Sequence, residues 1–443
     1  MLFSSVRSAH ASPVDRTSWR FAAHLIGQRS ALIACLFLVP ILMAKNAPAQ
    51  QASTADSDKQ TIQLLLGRID QLEARIARLE AAKAPPIGIA PAEPAPTAVP
   101  AAEEAEPPAE RTESEHMDVG KTLLKIRGFG DVTFHGDNQK GDTTSFTLGQ
   151  LDLFVTSDIS DKFKFLSEIV FEAGKDNAFG VDLERYLLQY SPNDYFNLSV
   201  GRYHTAIGYY NTAYHHSTWL QTATGRPFLF QFEDDDGILP IHNVGVSATG
   251  LIPSGALGLH YVAEVGNGRA SIGSDAEAVQ NRVDENNGKS VNLALFARPT
   301  AIRGLQAGFS VYHDGLKPAG LPNINETILA AHAVLIRPNF EWLNEALLIR
   351  HAEQGNSAVF NTPGFYTQVS RRFGSYRPYF RYQYVNASDA EPIFPTVGLR
   401  HGPSVGLRYD PSEWVAVKLQ YDYTALRHQP STNGLGLQVG FTF

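Results

Sequence analysis

The chain ends in Gly434-Leu435-Gly436-Leu437-Gln438-Val439-Gly440-Phe441-Thr442-Phe443, and these ten residues alternate without a break. Every second side chain is large and apolar, and those between are glycine, glutamine or threonine. Because successive side chains of a strand point to opposite sides of a sheet, this pattern predicts a strand with one apolar face. The same period recurs upstream, for example over 257–265, 305–311 and 415–423. No helical period of comparable length competes with it after residue 120.

The alternation predicts sixteen strands, whose connections differ in length. The predicted windows are 122–136, 144–159, 162–173, 178–191, 195–208, 243–252, 256–267, 290–299, 304–314, 326–337, 341–353, 362–374, 376–388, 401–410, 414–427 and 434–443. Tight turns follow the even-numbered windows, whereas longer connections follow most of the odd-numbered ones. We therefore predict an all-β fold over residues 121–443, a 16-stranded antiparallel transmembrane β-barrel. The window 326–337 is ambiguous in phase, which leaves fourteen or eighteen strands as alternatives.

The placement of aromatic and charged residues favours a barrel in lipid over a soluble sandwich. Aromatic pairs lie near the ends of predicted strands, as at Tyr382 and Tyr384, and charges recur on the polar face. This arrangement is typical of a lipid-facing band with aromatic girdles around a wet interior. Hydrocarbon offers the backbone no hydrogen-bond partners, so the sheet must close on itself. The terminal Phe443 also resembles the residue by which outer-membrane barrels are recognised for assembly.

The composition argues against several classes of function. The 443 residues carry a formal net charge of -8, whereas a nucleic-acid partner requires a basic face. The single cysteine, Cys35, allows no intramolecular disulfide and no thiolate metal site. The chain has no Gly-x-Ser-x-Gly elbow, no phosphate-binding glycine loop and no His-Glu-x-x-His motif. We predict that the protein is not an enzyme and has no cofactor.

Residues 1–49 have the order of an export signal. Several arginines precede an apolar stretch at 31–44, and the small-residue sequence Ala47-Pro48-Ala49 follows. The apolar stretch is too short to be a stable membrane anchor, so we predict a signal peptide that directs export to the periplasm.

Residues 50–83 predict a periplasmic coiled-coil helix with its core at 58–83. The apolar positions alternate at spacings of three and four: Ile62, Leu65, Ile69, Leu72, Ile76 and Leu79. Isoleucine at a with leucine at d leans towards two strands, but three heptads do not fix the oligomer number. A single amphipathic helix packed on its own domain is the alternative. Residues 84–120 are rich in proline, alanine and glutamate, which predicts a disordered, solvated linker.

The connection 209–242 is too rich in aromatic residues for a floppy external loop. Such residues would pack if the connection folded inward, so we predict that it narrows the pore. The candidate residues of this constriction loop are Tyr209, Tyr210, Tyr214, His215, His216, Trp219, Arg226, Asp234, Asp235 and Asp236. Imidazole and carboxylate groups can bind a divalent cation, but adjacent histidines on an extended chain point to opposite sides. We therefore predict no metal site and favour pairing of the acidic run with Arg226.

The strand phases place eleven basic side chains on the lumen side as pore-lining candidates. They are Lys125, Arg127, Lys164, Arg185, Arg298, Arg350, Arg372, Arg377, Arg381, Arg408 and Lys418. Eight acidic side chains share that face, and residues 121–443 contain 26 basic and 31 acidic residues. Because rings of one charge sign set ion preference, this small excess predicts a channel that leans only mildly towards anions.

Two segments resemble the phosphate-selective porin O/P family. They are Gly201-Arg202-Tyr203-His204 through Tyr209-Tyr210-Asn211, and Glu233–Gly237 with Pro240-Ile241-His242-Asn243. The plan of signal, coiled coil, linker and sixteen-stranded barrel is similar as well. The resemblance implies a trimeric outer-membrane channel for anions or small solutes, with an arginine ladder and a lysine cluster in the phosphate-specific members. This chain has no lysine cluster in a loop, which departs from the phosphate-specific pattern.

We therefore predict an outer-membrane porin, a water-filled channel for passive diffusion of small hydrophilic solutes or ions. Its predicted partners are outer-membrane lipid, small anions or hydrophilic solutes, and further copies of the chain. The resemblance implies a trimer, and the sequence itself leaves a dimer open. The alternative hypothesis is a structural tether that anchors the outer membrane while its coiled coil contacts the cell wall, with peptidoglycan as partner. Either hypothesis places the barrel in the outer membrane and the N-terminal segment in the periplasm.

Overall fold

The computed structural model describes residues 124–139, 141–174, 178–214, 218–232, 237–269, 284, 286–318 and 320–443. The signal peptide, the coiled coil and the linker predicted for residues 1–120 lie outside the described residues. Among the described residues, no helix is long and apolar enough to cross a bilayer.

Sixteen antiparallel strands form one closed barrel, in which each strand pairs with its sequence neighbours and the first pairs with the last. They are β1 (Leu124–Asp137), β2 (Ser145–Asp158), β3 (Phe163–Ala173), β4 (Phe179–Asn193), β5 (Phe196–His204), β6 (His242–Ile252), β7 (Leu259–Gly266), β8 (Ser290–Ala297), β9 (Leu305–Leu316), β10 (Ile324–Arg337), β11 (Phe340–Glu353), β12 (Val359–Arg371), β13 (Tyr376–Asn386), β14 (Leu399–Tyr409), β15 (Val415–Leu426) and β16 (Thr432–Thr442). A single helical turn, α1 (Tyr210–Ala213), lies between β5 and β6. The prediction of a closed 16-stranded barrel is confirmed.

The connections at the two ends of the barrel differ in length. Residues 194–195 and 338–339 are enough to join β4 to β5 and β10 to β11. At the opposite end, residues 205–241, 267–289 and 387–398 form long connections. We refer to these as the turn end and the loop end. The barrel begins and finishes at the turn end, where β1 starts and β16 stops.

The outward side chains form an exposed apolar surface. Ile126, Phe146, Val181 and Leu293 are each more than half exposed, and the same alternate phase is apolar on the other strands. Polar side chains occupy much of the inward phase, where Asp152 and Glu168 are buried. The two-residue period of the sequence therefore separates an apolar outside from a largely charged inside.

Apolar side chains share the inward face of β9 to β13 with charged ones such as Glu345 and Arg381, so the polar interior that the alternation predicts is only partly observed in this part of the wall. The wall residues pack with two of the long connections in one hydrophobic core, whose members include Tyr312, Ile328, Leu343, Leu347, Tyr366, Val385, Leu229, Phe230, Ile238, Ile393 and Phe394. A barrel strand becomes apolar on both faces where a connection packs against its inner side. For this reason the alternation left the phase of β10 ambiguous.

Two glycines of β1 close the seam with β16. The backbone N–H of Gly128 donates to the carbonyl of Phe443 at 2.8 Å, and that of Phe443 donates back at 2.9 Å. A Cβ on Gly128 would lie 2.2 Å from the Phe443 ring, and one on Gly130 would lie 2.8 Å from the Phe441 ring. The two rings therefore cover positions that only glycine can occupy.

We predict that Gly128→Val weakens this seam. The added side chain displaces the exposed ring of Phe443, and the loss of such a cross-strand aromatic contact costs about 0.2–1 kcal/mol. The measurement is the temperature at which the purified barrel loses its compact, fast-migrating form on unboiled SDS gels, and we expect that temperature to fall.

The control is Gly436→Ala on β16, where a Cβ would meet only His135 at 3.9 Å. An equal fall in both variants would contradict the role of the Gly128–Phe443 contact.

Candidate functional site

The described parts of the connection between β5 and β6, residues 205–214, 218–232 and 237–241, lie inside the barrel, and we call them the inner loop. They contact inward side chains on both sides of the wall: Ala206 binds Glu264 of β7, and the Trp219 ring lies 6.1 Å from that of Phe129 on β1. Strands on opposite sides of a barrel can be reached together only through the lumen.

Carboxylates of the wall bind the first part of the inner loop through its backbone N–H groups. Tyr210 donates its N–H to Oε1 of Glu345 at 3.0 Å, and the N–H of Tyr209 donates to Oε2 of the same carboxylate. The hydroxyl of Tyr366 donates to Glu345 at 2.7 Å. Glu264 accepts the N–H of Ala206 at 3.0 Å. Each carboxylate thus satisfies backbone donors that have no strand or helix partner.

Cationic side chains of β13 to β15 bind the second part of the loop through its carbonyl oxygens. Arg408 of β14 donates from Nη1 to the carbonyls of Trp219 and Gln221, each at 2.8 Å. Lys418 of β15 donates to the carbonyl of Ala223 at 3.0 Å and to that of Thr218. Arg381 of β13 likewise donates to the carbonyl of Gly225 at 2.9 Å. These three cations therefore satisfy carbonyl groups of the loop that have no strand partner.

Aromatic side chains fix the loop to the apolar side of the lumen. The Tyr210 ring stacks on that of Phe230 with the centroids 5.4 Å apart, and the Tyr366 ring meets both rings edge-on. The guanidinium of Arg226 lies 4.1 Å from the centroid of Phe232. Burial raises the pKa of Tyr210 to about 12. Its phenol therefore stays neutral at neutral pH and donates a hydrogen bond to Gln221 at 2.8 Å.

A cavity of about 770 Å³ remains between the inner loop and the wall of β5 to β10. Its lining includes Asp194 in the β4–β5 turn, so the cavity extends to the turn end. Tyr209 and Gly208 of the inner loop bound it on another side, and Arg298 faces it from the end of β8. The cavity is therefore a space with a mixed polar and apolar lining that the inner loop bounds.

The predicted pore-lining residues fall on the inward phase of their strands, with one exception. The inward set is Lys125, Arg127, Lys164, Arg185, Arg298, Arg372, Arg377, Arg381, Arg408 and Lys418. Arg350 is exposed on the outward phase of β11, between the buried Ile349 and His351, and its predicted lumen position is wrong. The predicted phase of β11 is off by one residue, because apolar side chains occur on both faces of this strand.

The predicted constriction-loop residues are placed in part. Tyr209, Tyr210, Tyr214, Trp219 and Arg226 belong to the described inner loop. Burial, with the nearby carboxylate of Glu345, raises the pKa of Tyr209 to about 12. The remaining candidates, which also carried the weighed metal site and the acidic partner of Arg226, lie outside the described residues: His215, His216, Asp234, Asp235 and Asp236.

Of the carboxylates that bind the inner loop, Glu264 is one of the eight inward acidic side chains that the sequence predicted, whereas Glu345 and its neighbour Glu341 were not predicted. Glu341 and Glu345 share the inward phase of β11 with Leu343 and Leu347, so that face reads neither as polar nor as apolar. Glu341 accepts hydrogen bonds from Thr222 at 3.1 Å and from Gln368 at 2.8 Å. A strand face that mixes carboxylates with apolar residues, in a chain that also has an aromatic-rich connection, is the sequence signal that indicates such loop-binding carboxylates.

Comparison with solved structures shows the barrel fold. An anion-selective porin from Comamonas acidovorans is 13% identical, with a TM-score of 0.51, over 73% of this chain and 100% of that one. OmpF of Salmonella typhi in complex with daunomycin is 11% identical, with a TM-score of 0.50, over 72% of this chain and 97% of that one. No protein-family model and no curated protein matches the sequence. At these identities the likeness extends to the fold alone.

We predict that Lys418→Met loosens the inner loop. The change leaves the carbonyls of Thr218 and Ala223 without their donor, and a buried polar group left without a partner costs about 1–3 kcal/mol. The expected result is a lower thermal midpoint and faster protease cleavage within residues 218–225.

Lys125→Met is the matched control, because the Lys125 side chain is 58% exposed and its Asp158 partner is 53% exposed. Such a surface pair contributes about 0–1 kcal/mol. Identical behaviour of the two variants would contradict the anchoring role of Lys418.

Proposed function

We propose that the protein is an outer-membrane porin, a channel for passive diffusion of small hydrophilic solutes and ions. The closed 16-stranded barrel with an inner loop in its lumen is the observation that carries this proposal. A closed barrel satisfies every strand edge, which is the condition for a sheet in hydrocarbon. The exposed apolar outward face fits solvation by lipid, and sixteen strands enclose a lumen wide enough for an aqueous route.

The inner loop is the constriction in this proposal. Its described parts bind β7, the partly apolar wall of β9 to β13 and the cations of β13 to β15. The route that we propose for solutes therefore passes between the loop and the wall of β5 to β10. The cavity of about 770 Å³ is the wider part of the route on the turn side of the loop. A route that narrows beside a firmly held loop selects by size, and this favours small solutes.

A mild preference for anions is part of the proposal. The inward cations near the turn end are the more accessible charges, since the side chain of Lys125 is 58% exposed and that of Arg372 is 40% exposed. Inward carboxylates are more deeply placed: Asp152, Glu168 and Glu264 are at most 3% exposed. Lys125 and Arg372 are paired with Asp158 and Asp410, so the preference for anions that these accessible charges give is small.

The parts of the proposal that concern assembly and the N-terminal segment rest on the sequence alone. We propose that copies of the chain associate, as a trimer by the resemblance to phosphate-selective porins, with the barrel in the outer membrane and the coiled coil in the periplasm. Selectivity for phosphate itself has no support in the inward charges. The tether hypothesis and its peptidoglycan contact rest on residues 58–83, which lie outside the described residues.

We predict that the purified full-length protein gives stepwise conductance in planar bilayers and that Arg298→Glu shifts its reversal potential in a salt gradient towards cation selectivity. Arg298 faces the cavity, so its reversal places a negative charge on the solute route. Absence of conductance would contradict the channel.

Arg350→Glu is the control, since Arg350 is exposed on the outward face and its reversal should leave the selectivity unchanged. An equal shift in both variants would show that the inward face is not the route for ions.

A further inference from the structure

Four buried charged residues join three separate parts of the loop end, and we call them the latch. Arg269 belongs to the β7–β8 connection, Glu326 to β10, His351 to β11 and Glu391 to the β13–β14 loop. None of the four is more than 4% exposed. Buried charges are stable only when they are paired, so their mutual contacts decide whether the loop end holds together.

His351 is the centre of the latch. Its Nε2 lies 2.8 Å from Oε2 of Glu326, and its Nδ1 lies 2.6 Å from Oε1 of Glu391. Nη1 of Arg269 lies 3.6 Å from the same oxygen of Glu326. The imidazole therefore bridges the barrel wall and the β13–β14 loop.

The latch also fixes apolar residues within the lumen. Arg269 donates from Nη1 to the carbonyl of Ile238 in the inner loop at 3.0 Å, and its guanidinium lies 4.8 Å from the centroid of the Phe394 ring. Glu391 accepts the N–H of Ile393 at 3.0 Å. Phe394 and Ile393 belong to the hydrophobic core that the inner loop shares. Release of Glu391 would therefore free the β13–β14 loop from the core.

The two contacts of His351 require one proton more than a neutral ring and two carboxylates carry. A neutral imidazole donates through one nitrogen only. With both carboxylates ionised, the second nitrogen would turn its lone pair towards a carboxylate oxygen less than 3 Å away. An additional proton, on the ring or on a carboxyl group, removes this repulsion. Arg269 balances the charge of only one of the two carboxylates.

We propose that the latch is a pH-sensitive gate: the additional proton holds the β13–β14 loop in the lumen, and its loss in alkaline solution releases that loop. This inference rests on the channel proposed above and adds its regulation. Release of Ile393 and Phe394 from the core widens the lumen at the loop end. Conductance is therefore expected to rise with pH.

Other charged groups near the latch are distinct from its central contacts. On β9, Asp314 accepts the N–H of Arg269 at 3.2 Å, and His313 binds Thr327 at 3.1 Å. Asp389 of the β13–β14 loop pairs with Arg427, and Nε2 of His428 lies 3.6 Å from Oδ2 of Asp389. The pair of Asp389 and His428 is exposed, and it is another contact of the β13–β14 loop that could respond to pH.

Three variants separate the latch from its surroundings. Glu391→Gln can donate its amide to Nδ1 while a neutral His351 donates to Glu326, so no additional proton is needed and the loop should stay held at every pH. His351→Gln can donate to one carboxylate only and should leave the loop released at every pH. His428→Gln is the control, which removes the exposed imidazole near Asp389 and should keep the pH dependence of the wild type.

Two readouts are measured on the full-length protein between pH 5 and 9. One is single-channel conductance, and the other is the mobility of a fluorophore on Ala390→Cys in a Cys35→Ala background. Because one proton is involved, the ratio of released to held loops should rise up to tenfold per pH unit in the wild type. Glu391→Gln should stay at the acid level and His351→Gln at the alkaline level.

The outcomes distinguish the latch from the channel. If the mobility of the fluorophore follows pH but the protein gives no conductance, the proposed channel is contradicted and the latch is not. Wild-type pH dependence in Glu391→Gln, or its loss in His428→Gln, would overturn the latch. If His351→Gln does not fold, Glu391→Gln still tests whether the latch responds to pH. That variant changes only one carboxylate oxygen to an amide nitrogen.

Discussion

Every backbone N–H and C=O group that is removed from water must find a partner, and this constraint determines both the barrel and its contents. On the wall the strands satisfy one another, and the pairing of β1 with β16 leaves no free edge. Inside the lumen the inner loop has no such ladder. Its donors are met by carboxylates such as Glu345 and its acceptors by cations such as Lys418. These inward charges therefore bind the loop, and they are not available to bind a solute.

Because these charged side chains bind the loop, they cannot be interpreted simply as charges that attract ions. Arg381, Arg408 and Lys418 could be taken for a basic strip that attracts anions, but all three are engaged with loop carbonyls. The accessible cations Lys125 and Arg372 are paired with Asp158 and Asp410, so little net charge is left to influence ions. A count of inward charges consequently overstates the field that a solute would meet.

The sequence was sufficient for the wall and insufficient for the lumen. Alternation predicts the strands because one face is uniformly apolar, and the pattern of β16 shows this without ambiguity. It fails at β11, where Leu343 and Ile349 face a hydrophobic core inside the barrel and Arg350 faces outward. The aromatic content of the inner loop predicted that it packs inward. Which wall it packs against depends on contacts between residues more than 100 positions apart, as between Tyr210 and Glu345, and local patterns do not carry that information.

The most direct test of the account compares single-channel conductance, with neutral polymers of graded size in the bath, before and after residues 218–230 are replaced by a short glycine-serine linker. If the inner loop forms the constriction of a water-filled route, both the conductance and the size of the largest polymer that enters will increase. Unchanged conductance together with an unchanged polymer cut-off would contradict the central claim.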